Sequence, residues 1–386
     1  MIVLYILLAI AVLMLMILIH ELGHYVVGKM LGFKITEFSV GFFKPIWQKT
    51  NKKGEKISIR ILPLGGFCSF YGEDGIEEEE IIDENGNKVK KPINKDDPDF
   101  FTNKPAWKRM LVFVAGVAFN FISAIIFSFI LLVAFGYGNC YYVKDINPYF
   151  MENYSAGTGL YQIEENDKIM QIDGKDISYV WDRTTNTMVT LENGNHYTLT
   201  IKKAETGELQ EVEVFVQTAP SATFDAEKNE YVIETDENGQ VIQSTSIGLT
   251  LALGSTPLSF WDAIAQSFTF TVGLVVMVFE AFWNLITFQI PLTDMGGTLT
   301  VISTMATTVG ESFANLFIFL PLIAANLAAF NILPFPALDG AHALFTGIEW
   351  VRGRPINRNV EAIIHAVGLI ILLAFVLVLD LLHFIT

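Results

Sequence analysis

Long apolar segments constrain this chain more than any other feature of its sequence. A transmembrane helix needs about 20 consecutive apolar residues. Residues 2–27, 110–135, 313–333 and 360–384 meet this requirement, whereas residues 260–290 carry several polar and acidic side chains. We therefore expect a polytopic α-helical membrane protein with about four transmembrane helices in a lipid bilayer. Over residues 260–290 we expect an amphipathic or partly embedded helix.

The first apolar segment begins at Met1, where a cleaved signal peptide would be the usual interpretation. No small-residue cleavage site follows this segment, and the sequence His20-Glu-Leu-Gly-His24 follows it instead. We therefore expect the segment to remain in the protein as a transmembrane helix.

Charge orients these helices and excludes one class of partner. The net charge of −16 argues against nucleic acid, because a phosphate-binding surface needs clustered lysine and arginine. Basic residues follow the first helix and precede the second and the last, and such residues are enriched in cytoplasmic loops. They are Lys29, Lys34, Lys104, Lys108, Arg109, Arg352, Arg354 and Arg358.

We expect the protein in the cell membrane, that is, the inner or plasma membrane. The predicted orientation places both chain termini and residues 138–257 on the outer side of this membrane. It requires that residues 260–290 do not cross the bilayer completely. Cys68 and Cys140 then lie on opposite sides of the membrane, so we expect no disulfide bond between them.

The segments between the apolar helices differ in character. Lys56–Ile61 alternates with period two, which is typical of a strand, and its surroundings are too apolar for a free loop, so we expect a membrane-reentrant β-loop. Further strands are predicted at Lys168–Ile172, Tyr197–Ile201 and Glu211–Val216, within one extracytoplasmic α+β domain.

The predicted order is a first transmembrane helix (residues 1–32), the β-loop (33–72), an acidic cytoplasmic loop (73–103), a second transmembrane helix (104–137), the extracytoplasmic domain (138–217), a β-hairpin extension (218–257), the amphipathic or partly embedded helix (258–290), a third transmembrane helix with Asp339 (291–340), a basic cytoplasmic loop (341–359) and a fourth transmembrane helix (360–386).

His20, Glu21 and His24 are the first candidate site residues. Histidines four residues apart lie on one face of a helix and can bind one metal ion, with the glutamate beside them. The alternative is a pair of structural histidines next to a surface glutamate. Ionisable side chains inside a transmembrane helix are costly and usually functional, which favours the metal site. The motif begins about 27 Å along the helix and therefore lies toward its cytoplasmic end.

Asp339 is the candidate third ligand, since a catalytic zinc site takes three protein ligands and keeps one position open. It follows the third apolar segment and so lies at the same membrane face as the histidines. Pro334 and Pro336 break the helix before it, which lets the carboxylate turn back toward the helices. An ordinary Asp-Gly turn is the alternative interpretation of Asp339. Other carboxylates or histidines, for which a surface or structural role is favoured, are Glu349, Glu361, His196, His342, His365 and His383.

The sequence resembles the site-2 protease family over nearly its whole length, especially the bacterial RseP type of intramembrane zinc metalloprotease. His20–His24 matches the first motif of that family, and Asn331–Gly340 is similar to its second motif, Asn-x-x-Pro-x-Pro-x-x-Asp-Gly. The resemblance implies that His20, His24 and Asp339 bind Zn²⁺ and that Glu21 is the general base.

The same resemblance implies residues that bind the substrate. Asn331, with Pro334 and Pro336 near it, would hold the unwound substrate or its oxyanion. The loop around Ile57–Gly66, including Gly65 and Gly66, is similar to the reentrant β-element of the family, whose free edge would pair with an unwound substrate. Ala115–Asn120 resembles the family motif Gly-Pro-x-x-Asn, with Val117 in place of the proline, and Asn120 would contact substrate. Residues 138–217 are similar to a PDZ domain, for which a β-rich domain without a peptide groove is the alternative.

These features predict an endopeptidase that cleaves transmembrane segments of single-span membrane proteins already trimmed outside the membrane. Anti-sigma-factor-like regulators and remnant signal peptides are the expected substrates, in regulated intramembrane proteolysis, with the PDZ-like domain as a size filter or a reader of the new C-terminus. A catalytically silent membrane adaptor that uses its PDZ-like domain is the alternative function. A zinc transporter would need polar residues across the bilayer, and the first helix is entirely apolar before His20.

Overall fold

The computed structural model describes residues 2–52, 54–73, 78–82, 88–92, 97–138, 140–154, 158–177, 192–225, 230–236, 238–291, 296–354 and 356–385. Parts of the predicted acidic loop and of the predicted extracytoplasmic domain lie outside these residues. The chain divides into two compact units. The helical unit comprises Met1–Ser128 and Leu274–Thr386, and the sheet unit comprises Phe129–Gly273.

Eight α-helices lie within the described residues. They are α1 (Ile2–Met30), α2 (Ala106–Ala134), α3 (Pro148–Tyr154), α4 (Phe260–Ile286), α5 (Thr298–Glu311), α6 (Leu316–Asn331), α7 (Asp339–Arg352) and α8 (Arg358–Ile385). Long apolar segments fold as helices because a helix satisfies its own backbone hydrogen bonds, which lipid cannot do.

Five of the described helical segments are long and apolar enough to cross a membrane, so the chain is a multi-pass membrane protein. They are Ile2–Met30, Ala106–Ala134, Phe260–Ile286, Phe313–Asn331 and Asn359–Leu382. Four of them correspond to the predicted transmembrane helices. The fifth is α4, for which an amphipathic or partly embedded helix was predicted, and it is the least apolar of the five. Its hydroxyl groups donate to its own backbone, as Thr271 does to the carbonyl of Ser267 at 2.8 Å, which lowers the cost of their burial.

Small side chains bring the helices of the helical unit close together. Its core contains Ala9 of α1, Ala124 of α2, and Ala324 and Ala325 of α6, all fully buried, together with the larger side chains Met16 and Met305. Small residues at helix crossings permit close backbone approach in membrane proteins. This packing fixes α1, which carries the histidine pair, against the helix that precedes Asp339.

Two segments of the helical unit were assigned incorrectly from sequence. Residues 341–359 were predicted as a basic loop, but most of them belong to α7, and residues 298–311 form the separate helix α5. Of the basic residues that suggested a loop, Arg352 is the last residue of α7 and Arg358 is the first residue of α8, while Arg354 lies between the two helices. Gly353 ends α7 with a φ of +64°, a conformation that favours glycine.

Four strands also lie within the described residues of the helical unit. They are β1 (Ile35–Thr50), β2 (Lys56–Phe70), β3 (Glu78–Ile82) and β4 (Lys88–Pro92). Residues 37–40 of β1 pair with residues 56–59 on one side and with residues 66–69 on the other, and residues 47–50 pair with 56–59. Within the described chain, residues 66–69 therefore form one edge of this β1–β2 sheet. The sheet occupies the segment predicted as a membrane-reentrant β-loop, and its depth in the membrane stays a prediction.

The described residues of the sheet unit form ten further strands. They are β5 (Cys140–Ile146), β6 (Lys168–Ile172), β7 (Lys175–Asp176), β8 (His196–Lys202), β9 (Leu209–Phe215), β10 (Gln217–Pro220), β11 (Ala222–Asp225), β12 (Glu230–Ile233), β13 (Gln243–Ser246) and β14 (Leu249–Gly254). The main sheet has the order β14-β5-β6-β8-β9, with β7 beside β6. Strands β6, β8 and β9 lie where three strands were predicted.

The boundary predicted at residue 217 does not separate this sheet from the later strands. Strand β14 comes from the segment predicted as a hairpin extension, yet it pairs with β5 at the edge of the main sheet. Apolar residues on alternate positions of the sheet, such as Val143, Leu199 and Val212, form its buried core. The predicted absence of a disulfide is consistent with the structure, in which Cys68 and Cys140 are both free.

Candidate metal centre

Helix α1 places two imidazoles side by side. His20 and His24 are one helical turn apart, which puts them on the same face, and their Nε2 atoms are 3.2 Å apart. Both side chains are buried, with 8% and 7% of their surface exposed. Two nitrogen atoms of the same kind thus point into one buried space.

The carboxylate of Asp339 approaches the same two atoms from a distant part of the chain. Its Oδ2 lies 2.8 Å from Nε2 of His20 and 3.2 Å from Nε2 of His24. Helix α6 ends at Asn331 and α7 begins at Asp339, so the Asn331–Asp339 loop turns the chain between them. Gly340 lies so close to the carbonyl oxygens of Ile332 and Leu333 that any side chain there would overlap them.

Helix α2 forms the back of the site. The ring Nδ1 of His24 lies 2.8 Å from the carbonyl oxygen of Val112, and the side-chain amide of Asn120 lies 3.2 Å from Nδ1 of His20. A β-carbon on Gly116 would overlap Nε2 of His24 and would lie 2.8 Å from Nε2 of His20. The glycine therefore leaves room at the point where the two ligand atoms converge.

A cavity of about 240 Å³ opens beside these groups. It is lined by Ile17, His20, Glu21, Leu327, Asn331, Ala337 and Asp339. The Glu21 carboxylate interacts with both imidazoles and with Asp339, and it is hydrogen bonded to the backbone of Cys68 in β2. The cavity therefore combines a possible metal site, a carboxylate beside it and the amide of Asn331.

The residues fit a catalytic zinc ion. One ligand atom each from His20, His24 and Asp339 lies within 4.8 Å of the others, and two imidazoles with one carboxylate are a usual donor set for catalytic zinc. The carbonyl oxygen of Val112 accepts a hydrogen bond from Nδ1–H of His24, so in the neutral ring Nε2 keeps its lone pair for a metal. The space that a β-carbon on Gly116 would fill is left open at the same point.

The other residues predicted to bind substrate lie in different places. Asn331 lines the cavity. Pro334 and Pro336, which are also described residues of the second motif, do not line it. Pro336 instead packs against Gly368 of α8. Asn120 is fully buried behind His20 and does not line the cavity, and its contact with substrate stays a prediction. Asn120 follows Gly116 by four residues on α2 and therefore lies on the same helical face, where its side chain points to the imidazole of His20 and away from the cavity.

Gly65 and Gly66 lie in β2, near the edge of the β1–β2 sheet. A β-carbon on Gly66 would lie 2.9 Å from the carbonyl oxygen of Ser39 and 3.2 Å from Cγ of Glu21. A β-carbon on Gly65, whose φ is +127°, would overlap the ring of Phe42. Gly66 therefore allows this edge to approach the cavity, whereas Gly65 serves the turn of the strand.

The alternative ligands are engaged elsewhere. Glu349 pairs with Arg109 at 2.5 Å, and Glu361 lies 4.0 Å from Nδ1 of His342. Sequence reasoning gave no role to Gly23, Val112 or Gly116. The two glycines carry a recognisable signal, since small residues in apolar helices mark close crossings, and a β-carbon on Gly23 would lie 2.5 Å from the carbonyl oxygen of Ala115. A backbone carbonyl such as that of Val112 has no sequence signal.

Comparison of the chain with known proteins identifies a matching family model and several relatives. The family model for peptidase family M50 matches residues 8–375. A protein of Agrobacterium fabrum named "Putative zinc metalloprotease" is 26% identical over 364 residues, which cover 94% of this chain and 91% of that protein. Proteins with the same name from Nostoc sp. and Clostridium perfringens are each 28% identical, covering 95% and 96% of this chain and 92% and 95% of their own lengths.

Proposed function

This chain belongs to peptidase family M50, the site-2 proteases, and from that premise we propose that it cleaves membrane-spanning segments of other proteins. It is a multi-pass membrane zinc metalloprotease. The observation that carries the proposal is the convergence of His20, His24 and Asp339 beside Glu21 in one cavity. Three ligands and an adjacent carboxylate are the groups that metal-assisted peptide hydrolysis requires.

The proposed ligands are Nε2 of His20, Nε2 of His24 and the carboxylate of Asp339. Zinc, when bound, supplies a Lewis acid that polarises the scissile carbonyl and makes water more acidic. Hydrogen bonds at Nδ1 of both histidines hold the rings with their Nε2 atoms toward Asp339. Burial of the imidazoles excludes bulk water, which would otherwise compete for these positions.

Glu21 is the proposed general base. Its carboxylate accepts a proton from the attacking water and donates it to the nitrogen of the leaving amine, so the group returns to its starting state. The hydrogen bond from the backbone of Cys68 fixes one side of this carboxylate. The amide of Asn331 lies in the same cavity and is the proposed hydrogen-bond donor to the substrate backbone or to the oxyanion.

The proposed substrate is a single transmembrane segment that has unwound locally. A membrane helix hides its amides in internal hydrogen bonds, and a protease must open them before attack. The 66–69 edge of the β1–β2 sheet lies next to Glu21 and can pair with an extended segment by strand addition. Single-span proteins already trimmed outside the membrane, such as anti-sigma-factor-like regulators and remnant signal peptides, fit this requirement in regulated intramembrane proteolysis.

The proposed orientation follows the distribution of basic residues and places the metal centre near the cytoplasmic face, with both termini outside. The sheet unit then lies outside the membrane and, as a PDZ-like domain, would exclude untrimmed substrates or bind new C-termini. If α4 crosses the membrane, the C-terminus lies inside. A reporter enzyme fused after the last residue, active on only one side, distinguishes the two arrangements.

The proposed activity is tested with Glu21→Gln in proteoliposomes that contain a model single-span substrate. Cleavage should fall by at least ~1000-fold because proton transfer is lost, while elemental analysis still finds one zinc per chain. Glu311→Gln is the matched control, since Glu311 is exposed at the end of α5, and it should cleave normally. Full cleavage by Glu21→Gln would refute the assignment of Glu21 as the base, whereas wild-type protein that cleaves no substrate would favour the catalytically silent adaptor.

The ligand assignment is tested separately with Asp339→Ala. The variant should lose most of its zinc in the presence of a weak chelator, because two imidazoles alone form an incomplete site. Asp262→Ala changes an exposed carboxylate and should retain zinc. Unchanged zinc content in Asp339→Ala would return Asp339 to the alternative of an ordinary Asp-Gly turn.

A further inference from the structure

The Asn331–Asp339 loop needs support from outside itself. Helix α6 ends before it and α7 begins at Asp339, and the prolines within it cannot donate backbone hydrogen bonds. Ala337 has a φ of +81°, in the left-handed region that residues other than glycine rarely adopt. Such a conformation persists only where neighbouring contacts determine it.

One of these contacts comes from His365 in α8. The backbone N–H of Ala337 donates a hydrogen bond to Nδ1 of His365 at 3.0 Å. The bond acts on the strained residue itself, two positions before Asp339. The partner is a side chain from the last helix, 28 positions further along the chain.

A second contact comes from Gly368, on the same face of α8 as His365 because it follows three residues later. Pro336 packs so tightly against Gly368 that a β-carbon there would overlap Cβ of the proline and lie 2.8 Å from its carbonyl oxygen. Helix α8 therefore contacts two consecutive residues of the loop, one through a hydrogen bond and one through backbone packing.

Ring packing fixes the orientation of His365. Its imidazole stacks on that of His342 in α7, with centroids 3.8 Å apart and planes 10° apart. His342 in turn stacks on Phe113 of α2 at 5.1 Å, and Phe345 meets His365 edge-on at 5.5 Å. Burial and the nearby His365 lower the pKa of His342 to about 4, so His342 is uncharged at neutral pH.

The protonation of His365 argues against a second metal site at this place. His342, Glu361 and His365 do offer ligand atoms within 4.8 Å of one another. However, Nδ1 of His365 accepts the Ala337 N–H, so the proton of the neutral ring is on Nε2. Nε2 is buried and has no hydrogen-bond partner among the described residues. The one lone pair of the ring is therefore used by the loop.

We propose that His365 is a positioning residue of the metal centre, which acts with Gly368 to hold Pro336 and Ala337 and thereby Asp339. The inference rests on the proposed role of Asp339 as a ligand. Outer partners that orient metal ligands typically change metal affinity or activity by about 10–100-fold when they are removed. Here the partner orients the ligand through the backbone two residues away.

The test uses full-length protein in detergent and compares His365→Leu with His365→Asn. Asparagine keeps an acceptor close to the position of Nδ1, whereas leucine keeps only the volume. His365→Leu should lower zinc affinity about 10–100-fold in competition with a chelator, and should lower kcat without raising KM. His365→Asn should restore both to within about threefold. His196→Leu, the same change at an exposed site in the sheet unit, should have no effect.

Gly368→Ala tests the second contact, with Gly347→Ala as the matched control. A β-carbon on Gly347 would meet only Sδ of Met110, at 4.0 Å, and both changes replace a helical glycine by the best helix former. Gly368→Ala should weaken zinc binding at least about tenfold, and Gly347→Ala should not. If His365→Leu fails to fold, this pair decides the question.

The outcomes separate the inference from the proposed function. Wild-type protein that binds no zinc, or Asp339→Ala that binds it normally, would refute the ligand assignment on which the inference rests. A zinc-binding, active wild type with unchanged zinc affinity in both His365→Leu and Gly368→Ala would overturn the inference alone. Equal losses in His365→Leu and His365→Asn would also overturn it, because the hydrogen bond would then have no part in the effect.

Discussion

The side-chain amide of Asn120 lies 3.2 Å from Nδ1 of His20, on the ring nitrogen opposite to the one that faces Asp339. With Nδ2 in that position, Oδ1 of Asn120 is buried without a partner in the described part of the chain. A half-turn of the amide exchanges its oxygen and nitrogen, which have nearly the same shape, and Oδ1 then accepts a hydrogen bond from Nδ1–H of His20. His20 then presents a free lone pair at Nε2, as His24 does through its hydrogen bond to Val112.

We therefore expect Asn120→Leu to weaken zinc binding by about 10–100-fold, the usual effect of removing a partner that orients a ligand. Asn120→Asp keeps an acceptor at the same place and should bind zinc nearly as well as wild type. Chelator competition measures both affinities. Equal affinity of Asn120→Leu and wild-type protein would show that His20 needs no such partner.

Gly116→Ala should empty the metal centre although it favours the helix. A methyl group at this position would overlap Nε2 of His24, so α1 and α2 must separate or the imidazoles must rotate. A displacement of about 1 Å costs on the order of 100-fold in rate. Cleavage assays and zinc analysis should both show the loss, with Gly347→Ala as the control. A cleaving Gly116→Ala variant would mean that the helices separate without cost to the site.

The main parts of the metal centre could be predicted from local sequence. The spacing of His20 and His24 fixes one helical face whatever the rest of the chain does, and apolar length identifies the membrane helices. The local sequence alone did not identify Asp339 as a ligand. Its assignment also used the charge distribution and the resemblance of residues 331–340 to a known motif. Its proximity to both histidines in the structure is consistent with that reasoning.

The groups around the ligands could not be predicted in the same way. His365 contacts the loop from 28 residues away, and Val112 contacts His24 across 88 residues; neither contact has a periodic pattern. Asn120 was assigned to substrate because a motif gives the residue type but not the direction of its side chain. Strand β14 was separated from its sheet because pairing between distant strands leaves no local signal.

Gly66→Ala should reduce cleavage without removing zinc. The added methyl group would press on the carbonyl of Ser39 and on Cγ of Glu21, and thus displaces the proposed base and the sheet edge but none of the proposed ligands. We expect kcat/KM to fall about 10-fold or more with one zinc per chain retained. Loss of zinc in this variant would instead indicate that the β1–β2 sheet supports the ligands themselves.

Asp167 should make the stability of the sheet unit depend on pH. Burial alone would raise the pKa of this fully buried carboxylate, but Lys203 at 2.8 Å and the backbone N–H groups of Glu164 and Ala204 outweigh burial and lower it. A lowered folded-state pKa contributes stability above the unfolded value of about 4, and this contribution disappears as the pH falls through the folded-state pKa. Asp167→Asn should therefore cost about 3 kcal/mol at pH 7, and the difference from wild type should shrink below about pH 4. The free energy of unfolding is measured by urea unfolding of full-length protein carrying Cys68→Ser, with dithiodipyridine labelling of the buried Cys140 as the signal. Asp173→Asn, which changes an exposed carboxylate, is the control. A difference between Asp167→Asn and wild type that stays constant down to the lowest accessible pH would contradict the assignment.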